Sequence, residues 1–252
     1  MSDAARAVVE RHLHDLADTA RRAAAELAPQ VAEIAALVTD TFRRGGKLLF
    51  CGNGGSAADA QHLATEYVVR FQHNRRALPA LALTTDTSLL TAAANDLGFE
   101  RVFARQVEAL GRAGDVLFLH TTSGESPNLL AAADAARANG LATVAMTARG
   151  GGRLRHHVDH VVDVPTQDGA HAQELHIALG HIICRLVEQE LAADPAATVT
   201  SGEAIALMHE ARLAEKRQAL FYRALAAAAE DVGDDALSER LNGLHADEQH
   251  HL

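Results

Sequence analysis

Up to position 44, apolar residues recur at helical intervals; from position 47 onward they gather into short unbroken runs. The first part reads as two amphipathic helices, at about 3–27 and 30–44, ending at Gly45-Gly46, where a permissive backbone suits a helix stop. The runs that follow are KLLFCG at 47–52, ALALT at 80–84, DVLFLH at 115–120, LATVAM at 141–146 and HVVDV at 160–164. Continuous apolar runs of this length, separated by helical stretches, predict parallel strands covered on both faces. The expected architecture is a doubly wound α/β sandwich with a five-stranded parallel sheet flanked by helices. A long helix over about 170–192 closes it, so the first domain spans 1–192. The stretch ADPAATVTSG at 193–202 has the proline and small residues of a linker. Beyond it two further helices, at about 201–231 and 235–252 with Gly233 between them, predict a helical hairpin over 203–252.

Composition narrows the function classes. A formal net charge of -10 gives no electrostatic reason to approach nucleic acid or an anionic membrane. No apolar run reaches membrane-spanning length and the start lacks the pattern of a signal peptide, which predicts a cytoplasmic protein. Two cysteines, Cys51 and Cys184, are too few for a disulfide framework and lack zinc-site spacing; they read as small buried hydrophobes.

Two strand ends carry candidate chemistry. After the first run, Gly52, Asn53, Gly54, Gly55 and Ser56 lead into a helix, and glycines there let backbone amides approach an oxyanion at a helix N-terminus. After the third run, Thr121, Thr122, Ser123 and Ser126 surround Gly124, a set of neutral donors able to enclose a phosphate without a lysine. Either turn alone also fits an ordinary strand-to-helix connection with a capping residue. Both lie at strand C-ends, where open α/β sheets bind ligands.

With these turns, residues 1–192 resemble the sugar isomerase (SIS) domain family, in which a turn of the form TTSGES holds a sugar phosphate. Within that family the segments CGNGGSAADAQHLATEY, AANDLGFERVFARQVEALGRAGDVL and AQELHIALGH are similar to the phosphoheptose isomerases. The resemblance implies a homotetramer with active sites between subunits, and conversion of sedoheptulose 7-phosphate to D-glycero-D-manno-heptose 7-phosphate. It also implies substrate-contacting or site-shaping roles for Asn53, Arg70 and Asp96. Ala57-Ala58, Thr65 and Ala170 depart from residues frequent in the family, which bears on the identity and anomer of the sugar.

An aldose–ketose isomerisation needs a base, an acid and a group that polarises oxygen. His62 and Glu66 are four residues apart on one predicted helical face; Gln173 and His181, eight apart, face roughly the same side of a later helix. Glu66 and His181 are the candidate proton-transfer groups. His62, Glu66, Gln173 and His181 together offer nitrogen and oxygen ligands for zinc, with Gln173 also at the substrate. By resemblance, the matching glutamate and second histidine are the catalytic pair, and some family members bind zinc through all four positions. The bland alternative is a solvated helical pair. A second reading of the whole domain is a non-catalytic SIS module that binds a phosphosugar in regulation or assembly.

In the last predicted helix, Leu237, Leu241, Leu244, Glu248 and His251 share one stripe, and Glu215 lies on a plausible buried face of the preceding helix. Residues 203–252 are thereby similar to half of a ferritin-like di-iron bundle, with Glu215, Glu248 and His251 as a second candidate metal site. The plainer reading is a hairpin used for contacts between subunits.

Overall fold

A computed structural model of the chain describes residues 3–192. The linker, the hairpin and the second candidate metal site at Glu215, Glu248 and His251 lie outside the described residues.

All five apolar runs form strands: β1 (Leu48–Gly52), β2 (Ala80–Ala82), β3 (Val116–His120), β4 (Ala142–Ala148) and β5 (His160–Val164). They make one parallel sheet in the order β2-β1-β3-β4-β5. Side chains alternate between faces, as a pleated strand requires. Leu48, Phe50, Val116 and Phe118 join one buried cluster, and Leu49, Cys51, Leu117 and Leu119 the other. The first cluster is covered by α1 (Asp3–Arg43), α2 (Gly55–Val68) and α6 (Gly169–Ala192). The second is covered by α3 (Thr87–Leu97), α4 (Val102–Leu110) and α5 (Pro127–Ala138). Cys51 and Cys184 are buried free thiols in these two cores.

The two N-terminal helices expected at 3–27 and 30–44 are in fact one, α1, with Pro29 inside it. Proline removes one intrahelical hydrogen bond and costs about 3 kcal/mol in a helix interior. Leu27, Val31, Ile34, Ala35 and Val38 are buried on both sides of it in the same core, and that shared burial carries the helix through. It stops where expected: Gly45, at φ 79°, and Gly46 donate their amides back to the Phe42 and Thr41 carbonyls.

The sheet order places β1 and β3 side by side while their connections leave in opposite directions. The crevice beyond their C-terminal ends is a topological switch point, the place where open α/β sheets take ligands. Both glycine- and hydroxyl-rich turns open there. At the opposite end, buried Asp115 accepts from the Lys47 amide and ammonium and from the Arg112 amide, locking β1 to β3.

Candidate active site

The turn after β1 is tight because Gly52 and Ser56 nearly touch: a Cβ on Gly52 would lie 2.5 Å from the Ser56 carbonyl oxygen. Gly54 sits at φ 58°, and the Ser56 amide donates to the Asn53 carbonyl as α2 begins at Gly55. In the turn after β3, the Thr121 hydroxyl oxygen accepts from the Ser123 and Gly124 amides at 3.4 and 3.2 Å, and the Ser123 oxygen accepts from the Glu125 amide at 3.3 Å. Hydroxyls that accept from the backbone keep their own protons, so Thr121 and Ser123 each retain a proton to donate. Thr122 and Ser126 flank them, half-buried, with Ser126 at the N-cap of α5 and Pro127 at its first position. Gly124, at φ 68°, packs so closely on the loop after β4 that a Cβ would lie 1.9 Å from the Gly151 oxygen. A reciprocal amide pair, Asn53 to Asn128 at 3.0 Å and Asn128 to Asn53 at 2.8 Å, ties the two turns together.

Beside these turns α2 and α6 bring His62, Glu66 and His181 together. The Nε2 atoms of His62 and His181 are 2.8 Å apart, and His62 Nε2 is 3.5 Å from Glu66 Oε1. Burial, reinforced by His62 and Arg185 and opposed by Glu66, holds the His181 imidazole below its ordinary range, so it is a neutral proton acceptor at neutral pH. The Phe71 ring stacks on His181 with centroids 5.0 Å apart. Phe71 is itself held by buried Glu188 on α6, whose carboxylate accepts from the Phe71, Gln72 and His73 amides and from Arg75. Gln173 lies against the start of α2, its amide 2.7 Å from where a Gly55 Cβ would stand.

Two of the expected site residues make contacts of their own. Arg70, exposed beyond the end of α2, donates to Asn74, and Asp96, exposed on α3, accepts from the neighbouring Asn95. The donor set fits zinc: His62, Glu66 and His181 each place a ligand atom within 4.8 Å of the others. Two imidazole nitrogens and a carboxylate suit zinc, and two Nε2 atoms at 2.8 Å either share one proton or both turn lone pairs to a cation.

The structure also gathers residues not singled out from the sequence. Asp59, His120 and His176 meet between β3, α2 and α6, and His12, His171 and Glu174 meet where α1 faces α6. The signal for His120 was present in the strand alternation, since it follows Val116 and Phe118 on the inward face of β3.

A profile of the SIS domain family matches residues 11–148. A phosphoheptose isomerase from Roseiflexus is 56% identical over 174 residues, covering 69% of this chain and 88% of that relative. One from Desulfovibrio desulfuricans is 52% identical over 191 residues, covering 76% and 91%. Among solved structures, the phosphoheptose isomerase of Neisseria gonorrhoeae superposes with a TM-score of 0.70 at 41% identity, over 73% of this chain and 98% of that one. That of Francisella tularensis gives 0.71 at 34% identity, over 75% and 100%. With its turns, its sheet order and this similarity over nearly the whole length of those relatives, the chain belongs to the SIS domain family and, within it, to the phosphoheptose isomerases.

Proposed function

We propose that the chain converts sedoheptulose 7-phosphate to D-glycero-D-manno-heptose 7-phosphate. The observation that carries this reading is the convergence, at one switch point, of two anion-accepting turns and the His62–Glu66–His181 group. The phosphate is received by the Ser56 turn and the α2 N-terminus together with the Thr121, Thr122, Ser123 and Ser126 hydroxyls. Anchored there, the sugar lays its carbonyl end toward α2 and α6. A base takes a proton from C1 of the ketose while O2 gains one, which gives the enediol; C2 then receives a proton while O1 gives up its hydroxyl proton and becomes the aldehyde oxygen. Glu66 and neutral His181 are the pair that takes and returns protons, with Phe71 stacked on the His181 ring. His62 lies within reach of both, its Nε2 2.8 Å from His181 Nε2 and 3.5 Å from Glu66 Oε1. Zinc held by His62, Glu66, Gln173 and His181 would polarise the sugar oxygens; the support for it is the donor set alone.

The same reading places Arg70 and Asp96 at a neighbouring subunit's sugar in a homotetramer. What supports it is that both side chains are exposed and stand near exposed Val68, Val69, Leu97 and Phe99. A cytoplasmic setting accords with two buried unpaired thiols; among the described residues no helix is long and apolar enough to cross a membrane.

The test is isomerisation of sedoheptulose 7-phosphate by the wild type and by Glu66→Gln. The wild type turns over and the variant loses at least about 100-fold in kcat, the scale of a lost acid–base group. Sugar-phosphate binding without turnover in the wild type would instead establish the regulatory-module reading.

A further inference from the structure

Three side chains outside the proton-transfer group form the most costly polar cluster among the described residues. His120, at the end of β3, is fully buried, and neither Nδ1 nor Nε2 has a hydrogen-bond partner. His176 on α6 is also fully buried; its Nε2 meets the Thr147 carbonyl at 3.0 Å, and its Nδ1 has no partner. Asp59 on α2 is half-buried with an unpartnered Oδ2. One ligand atom from each lies within 4.8 Å of the other two. The surroundings are apolar, with the Phe50 ring centroid 6.2 Å from that of His120. Each such orphan costs about 1–3 kcal/mol, and the three residues that carry the four orphans gather at one place.

We propose that Asp59, His120 and His176 hold a divalent transition-metal ion of the zinc type, at a site separate from the His62–Glu66–His181 group. The donor set is one carboxylate oxygen and two imidazole nitrogens, which suits zinc and disfavours calcium or magnesium, whose sites are built from oxygen. The His176 contact fixes the chemistry further. Because a backbone carbonyl only accepts, Nε2 carries the proton and donates it to Thr147, which leaves Nδ1 as a bare lone pair. This is the arrangement by which an outer partner orients a metal-binding imidazole. His120 is likewise neutral, since burial and His176 push its pKa down to about 3, so both rings present lone pairs at neutral pH.

The position gives such an ion a role. Asp59 lies three residues before His62 on α2, His120 directly precedes the Thr121 turn on β3, and His176 lies between Gln173 and His181 on α6. An ion here bolts together the three elements that carry the phosphate turns and the proton-transfer group. The inference stands whether or not the isomerase reading does.

The experiment uses the full chain carrying His62→Ala and His181→Ala, so that the neighbouring group binds no metal. Zinc is added and then removed from solution by dialysis, bound metal is counted by elemental analysis, and crystals are measured at the zinc absorption edge. The expected result is an anomalous peak about 2.0–2.2 Å from Asp59 and both imidazoles. Adding Asp59→Asn or His120→Leu to this parent should remove one equivalent of zinc per chain and abolish the zinc-dependent rise in Tm. Counting against the parent cancels any metal bound by other histidines. If His120→Leu does not fold, Asp59→Asn, which preserves shape, decides. Equal zinc content in parent and variants, or a water in place of an anomalous peak, overturns the proposal.

Discussion

Ser123 and Thr121 illustrate how two neighbouring hydroxyls differ in their work. Thr121 accepts two backbone amides and so builds the turn, whereas Ser123 accepts only the Glu125 amide. Ser123→Ala therefore leaves the loop standing and removes one donor to the phosphate. A hydrogen bond to a charged group is worth about 1.5–3 kcal/mol, so KM should rise roughly 10- to 100-fold. The phosphate lies away from the reacting carbons, so kcat should stay within about threefold. Steady-state kinetics separates the two constants; a fall in kcat with KM unchanged would move Ser123 to the reacting end of the sugar. These hydroxyls were legible in the sequence because glycine, serine and threonine between a strand and a helix carry a local meaning. The Asn53–Asn128 pair was not legible, since it depends on how far apart β1 and β3 stand, and no local pattern encodes a contact across 75 positions.

Among the elements, α6 does more than supply His181. Its Glu188 accepts from three successive amides and from Arg75, fixing the segment that presents Phe71 to the imidazole. Burial alone would raise the Glu188 carboxyl, but the amides of Gln72, Phe71 and His73 and the Arg75 guanidinium outweigh it and hold the pKa below the ordinary 4.5. The folded state thus binds this proton less readily than the unfolded chain. The resulting stabilisation is in full force above pH 4.5 and is lost as pH falls through 4.5 toward the lower folded value. Glu188→Gln should cost about 3 kcal/mol at neutral pH, as for breaking a buried ion pair, and should flatten the acid limb of stability against pH. Urea unfolding at pH 7 and at pH 4 measures both; equal losses at the two pH values would contradict the assignment. Element boundaries were read well where burial on both faces left continuous apolar runs, as in all five strands. The reading divided α1 because local helix signals around Pro29 are weak, whereas the stripe from Leu27 to Val38 that holds it together acts through packing on α6 and β5.

At the scale of the whole molecule, every residue placed at the sugar lies between Asn53 and His181. Cutting the chain after Ala193 should therefore leave kcat/KM within about threefold of the full chain, while assembly or Tm changes if the C-terminal residues join subunits. Identical oligomeric mass and Tm in both forms would remove residues 194–252 from any part in assembly. The adjacency of β1 and β3 has a different consequence, in the order of folding. Leu48 to Gly52 must find partners 68 positions further along, at Val116 to His120. Until residue 120 has left the ribosome, β1 has β2 on one side and an open apolar edge on the other, the kind of edge that recruits other chains. Non-local parallel pairing is slow to form, so refolding from urea should take about seconds rather than milliseconds, and its yield should fall as protein concentration rises. The strand that delivers the first phosphate turn is for that interval the segment of the described chain most exposed to aggregation.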